Sequence, residues 1–299
     1  MQVKIEKLPK ATIKVTVTVE SNKVKEMYEH ILDEAALDTE VEGFRKGKAP
    51  REVVKEKIGV SNLYGDVINH LLQTYYPQAL KENHILPLSN PKVEIKEFDL
   101  EKDFEFTATV AIRPEVNIGD FRSELKKTYK EKQDQKKIAN EEKLKKGEKL
   151  DDTPVHMNSN DVIDAVIKHS ELEIAELLIE DETDRIMARL VDQAQSIGLS
   201  LEQYLKAQNK TAEQLRNEYK QMAVRNLKAE FTLSHLVNEE KIEVNDTEIE
   251  ETIRAAGVEN FEERLKDPSE KYYVRSILQK NKLISKLLEE VETEYENKK

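Results

Sequence analysis

Side chains that could carry out a reaction are present, but their spacing assembles no reaction centre. The six histidines, His30, His70, His84, His156, His169 and His235, form no HxxxH or HExxH pair, so no metal-ligand spacing can be read. The chain has no cysteine, which removes disulfide frameworks, thiolate zinc sites and cysteine nucleophiles. No GxSxG, GxGxxG or Walker loop occurs. Carboxylates crowd every helical stretch, and at that density a pair of them reads as a solvated face rather than an acid–base dyad. No catalytic residue, metal or cofactor is assigned, and the chain reads as a binding protein.

One short stretch stands apart. Gly43-Phe44-Arg45-Lys46-Gly47-Lys48-Ala49-Pro50 packs two of the eight glycines, a proline and three cations into eight positions, and Arg51 adds a fourth cation. Glycine permits φ > 0 or a close backbone approach, and proline favours the start of the helix that follows. A loop this short has no interior, so Phe44, Arg45, Lys46 and Lys48 should mostly point outward. Two readings stay open on spacing alone. The stretch is an ordinary helix–helix connection with Phe44 tucked into the core, or a contact patch. As a patch it offers cations for phosphates or acidic groups, an arginine able to bind bidentately, and an aromatic anchor.

The elements that must position this loop are legible on either side. Residues 11–20 put Ile13, Val15, Val17 and Val19 on one face and Lys14, Thr16 and Thr18 on the other, a half-buried strand. Ser21-Asn22 offers an N-cap, and Val24, Met27, Tyr28, Ile31, Leu32 and Ala35 follow at helical spacing. A short helix is expected over Arg51–Ile58, ended by Gly59, and another over Asn62–Glu82, bent at Pro77. Lys92–Ile95 and Phe104–Ile112 read as strands. The first ~115 residues are therefore an α+β unit, helices on a small antiparallel sheet.

Beyond Pro114 the composition changes. Residues 122–150 hold eleven Lys/Arg against six Asp/Glu, and apolar residues such as Leu125, Tyr129, Ile138 and Leu144 are sparse there. A solvated helix to about Lys146 without a strong buried face is expected, then a loop over 147–160. Helices are expected at about 160–169, 175–197, 200–208, 211–240, 246–256 and 268–294. Ser200/Gln203, Thr211/Gln214 and Asn245/Glu248 look like capping boxes, and Asp267-Pro268 is an N-cap followed by proline. Residues 151–299 carry 20 basic and 33 acidic side chains, a net of −13, within a chain of 299 residues and net charge −12. That charge excludes wholesale nucleic-acid binding and leaves room only for a local RNA contact. MQVKIEKLPK has no apolar h-region and no apolar run approaches 18 residues, so neither signal peptide nor membrane span is expected and the location read is cytoplasmic.

The six positions Gly43-Phe44-Arg45-x-Gly47-Lys48-x-Pro50 resemble the ribosome-binding signature of the trigger factor family, bacterial chaperones that meet nascent chains at the exit tunnel. The stretch QTYYPQALKENHILPLSNPKVEI, residues 73–95, fits as well, as do SLEQYLKAQNKTAEQLRNEYKQMAVRNLKAE at 200–230 and KYYVRSILQKNKLISKLLEEV in the closing helix. The resemblance implies a ribosome-binding domain over 1–115 and an all-α chaperone domain with helical arms over 116–299. It makes Phe44, Arg45 and Lys46 docking residues, with Gly43, Gly47 and Pro50 shaping the loop and Lys48 and Arg51 adding charge. It implies as partners the large ribosomal subunit, through an exit-tunnel protein and adjacent RNA, and unfolded nascent chains, bound without ATP. A self-dimer off the ribosome is allowed, and the family's labels include protein transport and cell division.

In full-length members an FKBP-type prolyl isomerase domain of about 90 residues lies between these two parts. Here Pro114 runs within a few residues into DFRSELKKTYKEKQDQ, and no stretch has the aromatic strands and glycines such a domain needs, so isomerase activity is not expected. For client contact the scattered apolar residues Met187, Leu190, Ile197, Leu199, Tyr204, Leu205, Met222, Leu227, Tyr272, Tyr273, Ile277 and Leu283 are candidates, against the plainer reading that most of them hold helices together. Three other readings remain: a periplasmic chaperone-isomerase, a prolyl isomerase, and a purely structural helical adaptor.

Overall fold

The computed structural model describes residues 1–257 and 261–296. The chain divides into two compact units: residues 1–114 with 173–181, and residues 115–172 with 182–299. The boundary drawn from the sequence at 115 lies beside the first break, whereas the return at 173–181 has no counterpart in the sequence reading.

The first unit is built on a four-stranded antiparallel sheet of order β1-β2-β4-β3, with β1 Gln2–Leu8, β2 Thr12–Val19, β3 Lys92–Ile95 and β4 Phe104–Ala111. The strict alternation in β2 and β4 sets the register. Ile13, Val15, Val17 and Val19 stand opposite Val110, Ala108, Phe106 and Phe104, and all eight are buried. A one-residue slip would turn this whole apolar set to solvent. Over the sheet lie α1 Ser21–Asp38, α2 Arg51–Ile58 and α3 Val60–Glu82. They bury Val24, Tyr28, Ile31 and Leu32 from α1 and Leu63, Val67 and Leu71 from α3, each set at three- to four-residue spacing. Edge-to-face rings chain Tyr28 to Tyr64 (6.1 Å), Tyr64 to Phe98 (5.1 Å) and Phe98 to Phe104 (5.6 Å), tying both long helices to the sheet. Pro77 sits inside α3, where it has no N–H to offer Gln73.

One local expectation is corrected and one element is new. The N-cap residue of α1 is Glu20, and Ser21 is already helical; the Ser21 N–H donates to Asp103 Oδ1 at 2.9 Å, so a carboxylate from the β4 end caps the helix. The strand β1 was not foreseen. It is an edge strand whose Val3 and Ile5 face Val17 and Val15, while five of its seven residues are exposed.

The second unit is helical: α4 Phe121–Lys146, α5 Ser159–Lys168, α6 Glu176–Ser196 from residue 182 onward, α7 Leu201–Gln208, α8 Ala212–Glu239, α9 Asp246–Ala255, α10 Phe261–Lys266 and α11 Pro268–Glu296. A two-residue pairing of β5 (Asn117–Ile118) with β6 (Ser170–Glu171) brackets α4 and α5. The core gathers Phe121, Leu125 and Tyr129 of α4, Val162 and Val166 of α5, Leu233, Leu236 and Val237 of α8, and Leu283, Leu287 and Val291 of α11. The expectation that α4 lacks a buried face therefore fails for its first turns, where three residues four apart are buried; only the later turns are solvated. The capping boxes at Ser200/Gln203, Thr211/Gln214 and Asn245/Glu248 are all formed, and a fourth, Asn158/Asp161, opens α5. Asp267 starts α11 as expected: its Oδ1 accepts from Ser269 N–H at 2.9 Å and its carbonyl from Lys271 N–H at 3.1 Å.

Residues 148–158, read only as a loop, form a strap along α4. Gly147, left-handed at φ 72°, ends the helix, and the chain turns back. The Asn140 amide donates to the Asp151 carbonyl at 3.0 Å and accepts from the Asp151 N–H at 2.9 Å. Lys136 donates to the Thr153 carbonyl. Thr153 donates its hydroxyl (2.6 Å) and its N–H (3.0 Å) to Asp151 Oδ1, and with Lys136 nearby these bonds hold the Asp151 carboxyl down at about 2. The strap ends in Met157, which is buried in the core.

Candidate functional site

The basic loop is the connection between α1 and α2. α1 closes with the Thr39 N–H donating to Ala35 O at 2.9 Å. Two successive turns follow, Phe44 N–H to Val41 O (3.1 Å) and Lys48 N–H to Arg45 O (2.9 Å). Each carries a glycine with positive φ, Gly43 at 84° and Gly47 at 77°. A Cβ on any L residue is disfavoured there, which is why glycine occupies both positions. Pro50, φ −59° and ψ 144°, is the N-cap residue of α2 rather than its first helical residue, and its carbonyl accepts from Val54 N–H at 3.2 Å.

Phe44 is 44% exposed, so the reading in which its ring tucks into the core is not what the fold adopts. Arg45, Lys46 and Lys48 are exposed too. The cations differ in what holds them. Arg51 is paired with Glu29 at 2.8 Å and also with Asp33. Those carboxylates are four apart on α1 and so lie on one helix face. Arg51 therefore links α2 to α1 through two half-exposed ion pairs, which sets it apart from Arg45 and Lys48. Lys46 lies 3.5 Å from Asp38, in a pair whose members are both exposed. Lys57 donates to the Glu40 carbonyl, fastening α2 to the chain entering the loop. Arg45 and Lys48 have no side-chain partner among the described residues. The sequence reading also missed Leu37, 64% exposed in the last turn of α1, whose Cδ2 would lie 3.8 Å from a Cβ placed on Gly47. Its lone appearance off the apolar stripe of α1 was the available signal.

The loop thus offers an aromatic ring, a leucine and two unsatisfied cations on a backbone pinned at both ends. Such a surface can meet phosphates or carboxylates beside an apolar contact.

In the helical unit the candidate client contacts separate into three kinds. Leu190 and Leu283 are buried and belong to the packing. Leu190 lies on the stripe Ile186, Leu190, Ala194, four residues apart and buried throughout, and Leu283 is in the main core. Met187, Leu199, Tyr204, Leu205 and Leu227 are half-buried. Tyr204 of α7 meets Tyr219 of α8, whose hydroxyl is pushed up by burial and then by Tyr204. Exposed are Ile197 (71%) after α6, Met222 on α8, and Tyr272 (73%), Tyr273 and Ile277 on the first turns of α11. Tyr273 and Ile277 are one turn apart on the same face. Among the described residues no group of three or more His, Asp or Glu could hold a metal ion, and no helix is long and apolar enough to cross a membrane.

Residues 1–146 match the family model described as bacterial trigger factor protein, and residues 118–289 match that of the trigger factor C-terminus. The two matches overlap over 118–146, so no separate stretch for an isomerase domain lies between them. The chain is 37% identical over 136 residues to the trigger factor of Clostridium kluyveri, covering 45% of this chain and 32% of the relative. It is 39% identical over 122 residues to that of Clostridium acetobutylicum, covering 41% and 28%. The matched stretch thus spans about a third of the length of these relatives. A solved structure of the trigger factor chaperone, reported for promiscuous substrate recognition in folding and assembly, superposes with a TM-score of 0.66. It covers 97% of this chain and 100% of the other at 16% identity, a likeness of fold. With family models matching from residue 1 to residue 289, the chain belongs to the bacterial trigger factor family.

Proposed function

We infer that this chain is a ribosome-associated, ATP-independent chaperone. In this reading it docks beside the polypeptide exit through the loop 43–50 and shelters unfolded chains with its helical unit. The observation that carries the reading is the loop itself: Phe44 exposed, Arg45 and Lys48 without a side-chain partner among the described residues, and both ends pinned, by Arg51 on Glu29 and Asp33 and by Lys57 on Glu40. Phosphates of RNA and acidic side chains of a ribosomal protein are the groups that such a surface complements. Family membership supports the same partners, the large ribosomal subunit and nascent chains.

Client contact falls to the exposed apolar side chains Ile197, Met222, Tyr272, Tyr273 and Ile277, set on a frame with a net charge of −13 over residues 151–299. Like charge keeps such a frame from collapsing on its own apolar surface, and tyrosine and methionine tolerate varied partners. In this reading the chain acts without isomerase chemistry; the two matched regions overlap over 118–146.

Co-sedimentation with large ribosomal subunits tests the docking half. Replacing Phe44, Arg45 and Lys46 together by alanine should abolish it and leave the circular dichroism unchanged. Wild-type binding by the triple variant would refute the assignment.

A further inference from the structure

The turn that joins α4 to the strap is a tip of defined shape. Two backbone bonds close the helix there, Gly147 N–H to Leu144 O at 3.1 Å and Glu148 N–H to Lys143 O at 2.9 Å. At its base the Asn140 amide and the Asp151 backbone exchange two hydrogen bonds, so residues 141–150 form a closed loop. Tyr129 is the last buried residue of α4, and the tip stands about 27 Å further along the helix.

The tip is charged unlike the rest of the chain. It reads Lys143-Leu144-Lys145-Lys146-Gly147-Glu148-Lys149-Leu150, four ammonium groups against one carboxylate in a chain of net charge −12. None of these four lysines has an ion-pair partner among the described residues, whereas Lys132 and Lys136, nearer the core, are tied to Asp161 and Asp151. The apolar contact that often accompanies this kind of helix end is missing, because its two positions carry Lys143 and Glu148. Leu144 and Leu150 are instead 67% and 40% exposed.

Any polyanion attracts ammonium groups, so the other residue types decide between partners. The tip holds no arginine to grip a phosphate bidentately and no aromatic ring to stack on a base, the devices of single-stranded RNA recognition. Exposed leucines between lysines match a bilayer interface, where ammonium groups meet lipid phosphates and leucines enter the acyl boundary. Glu141, Glu142 and Asp152 flank the tip on the side of the body and confine the attraction to its end. A membrane's surface potential decays within about 8–10 Å, so the tip can enter it while the core end of α4 stays outside.

We propose that residues 143–150 are a peripheral docking tip for anionic lipid headgroups, held by lysine–phosphate attraction and shallow insertion of Leu144 and Leu150. With so few groups engaged, the attachment is weak and reversible. It uses this tip and not the loop 43–50, and stands independently of the function proposed above.

Flotation of the full chain with lipid vesicles tests it. At low salt, vesicles of mixed phosphatidylglycerol and phosphatidylcholine should carry the protein upward, and pure phosphatidylcholine vesicles should not. Lys145→Gln, Lys146→Gln and Lys149→Gln together should lower partitioning roughly 100-fold, at about fivefold per lysine. Leu144→Ser with Leu150→Ser should lower it roughly tenfold and leave its salt dependence unchanged. Both sets lie on exposed positions and should keep the wild-type melting temperature. The alanine variant of Phe44, Arg45 and Lys46 should partition as the wild type does, which separates this result from ribosome docking. No enrichment on phosphatidylglycerol vesicles, or wild-type partitioning by either tip variant, overturns the proposal. Binding to polyuridylate that outlasts vesicle binding as salt rises, and is lost with the three lysines, would assign the tip to RNA and also overturn it.

Discussion

The loop's charges divide into tied and free, and that division has a measurable consequence. Arg45 and Lys48 have no side-chain partner among the described residues. Lys46 is held only by an exposed pair with Asp38, worth about 0–1 kcal/mol, so it can be released to a phosphate at little cost. Arg51 is committed to two carboxylates. Docking on RNA then neutralises about two to three phosphates, giving a log–log salt slope of about −1.4 to −2.7. A slope of −2.5 corresponds to a roughly 30-fold loss of affinity between about 50 and 200 mM salt. With Arg45→Ala and Lys48→Ala only Lys46 remains, the slope falls to about −0.8, and the loss over the same range shrinks to roughly threefold. Arg51→Ala should instead keep the slope and lower the melting temperature by a few degrees, since it loosens α2 from α1. The assay is fluorescence anisotropy of labelled protein titrated with large subunits at stepped salt. An unchanged slope in the double variant, or a flattening by Arg51→Ala as great as that of the double, would refute the division.

Other expectations follow from the same packing. Serine at Tyr272, Tyr273 and Ile277 should weaken suppression of client aggregation, read by light scattering, without changing the melting temperature. Leu283→Ala should cost about 2–5 kcal/mol by opening a core cavity and be seen as a large drop in denaturant midpoint. The Asp151 carboxyl, at about 2 in the fold against about 3.9 unfolded, favours the strap above pH ~4 and releases that contribution as pH falls from 4 toward 2. The Thr153 amide, followed by NMR, should titrate through that window and lose the dependence in Asp151→Ala. Substoichiometric amounts of the chain should leave the slow, proline-limited refolding phase of a client unchanged; acceleration there would reveal a pocket elsewhere.

What could be read in advance was whatever a repeating pattern encodes. Val15, Val17 and Val19 alternate because β2 is central and one of its faces is buried, so its identity was visible without a partner. Ser200 with Gln203 and Thr211 with Gln214 announce helix starts because the cap is closed within four residues. β1 was invisible because an edge strand buries little: Val3 and Ile5 are its only half-pattern, and Lys7 interrupts it. The strap was invisible for another reason. Asn140, Lys136 and Asp151 hold it with side-chain hydrogen bonds, which leave no periodicity. The loop 43–50 showed its glycines and charges, but pairing decides which charges are free. That Arg51 is spent on Glu29 and Asp33 depends on how α2 lies against α1, a tertiary fact.

Because two turns and two pinned ends shape the loop before any partner arrives, binding need not freeze it, and the ordering entropy that a floppy loop would lose is already spent in folding. The consequence is kinetic. A chain of net charge −12 repels polyanions at long range, so its encounter rate with RNA gains little from electrostatic steering. The local cations act only once the surfaces touch. The salt dependence of docking should therefore reside in the dissociation rate, with the association rate nearly flat or even rising as salt screens the acidic body.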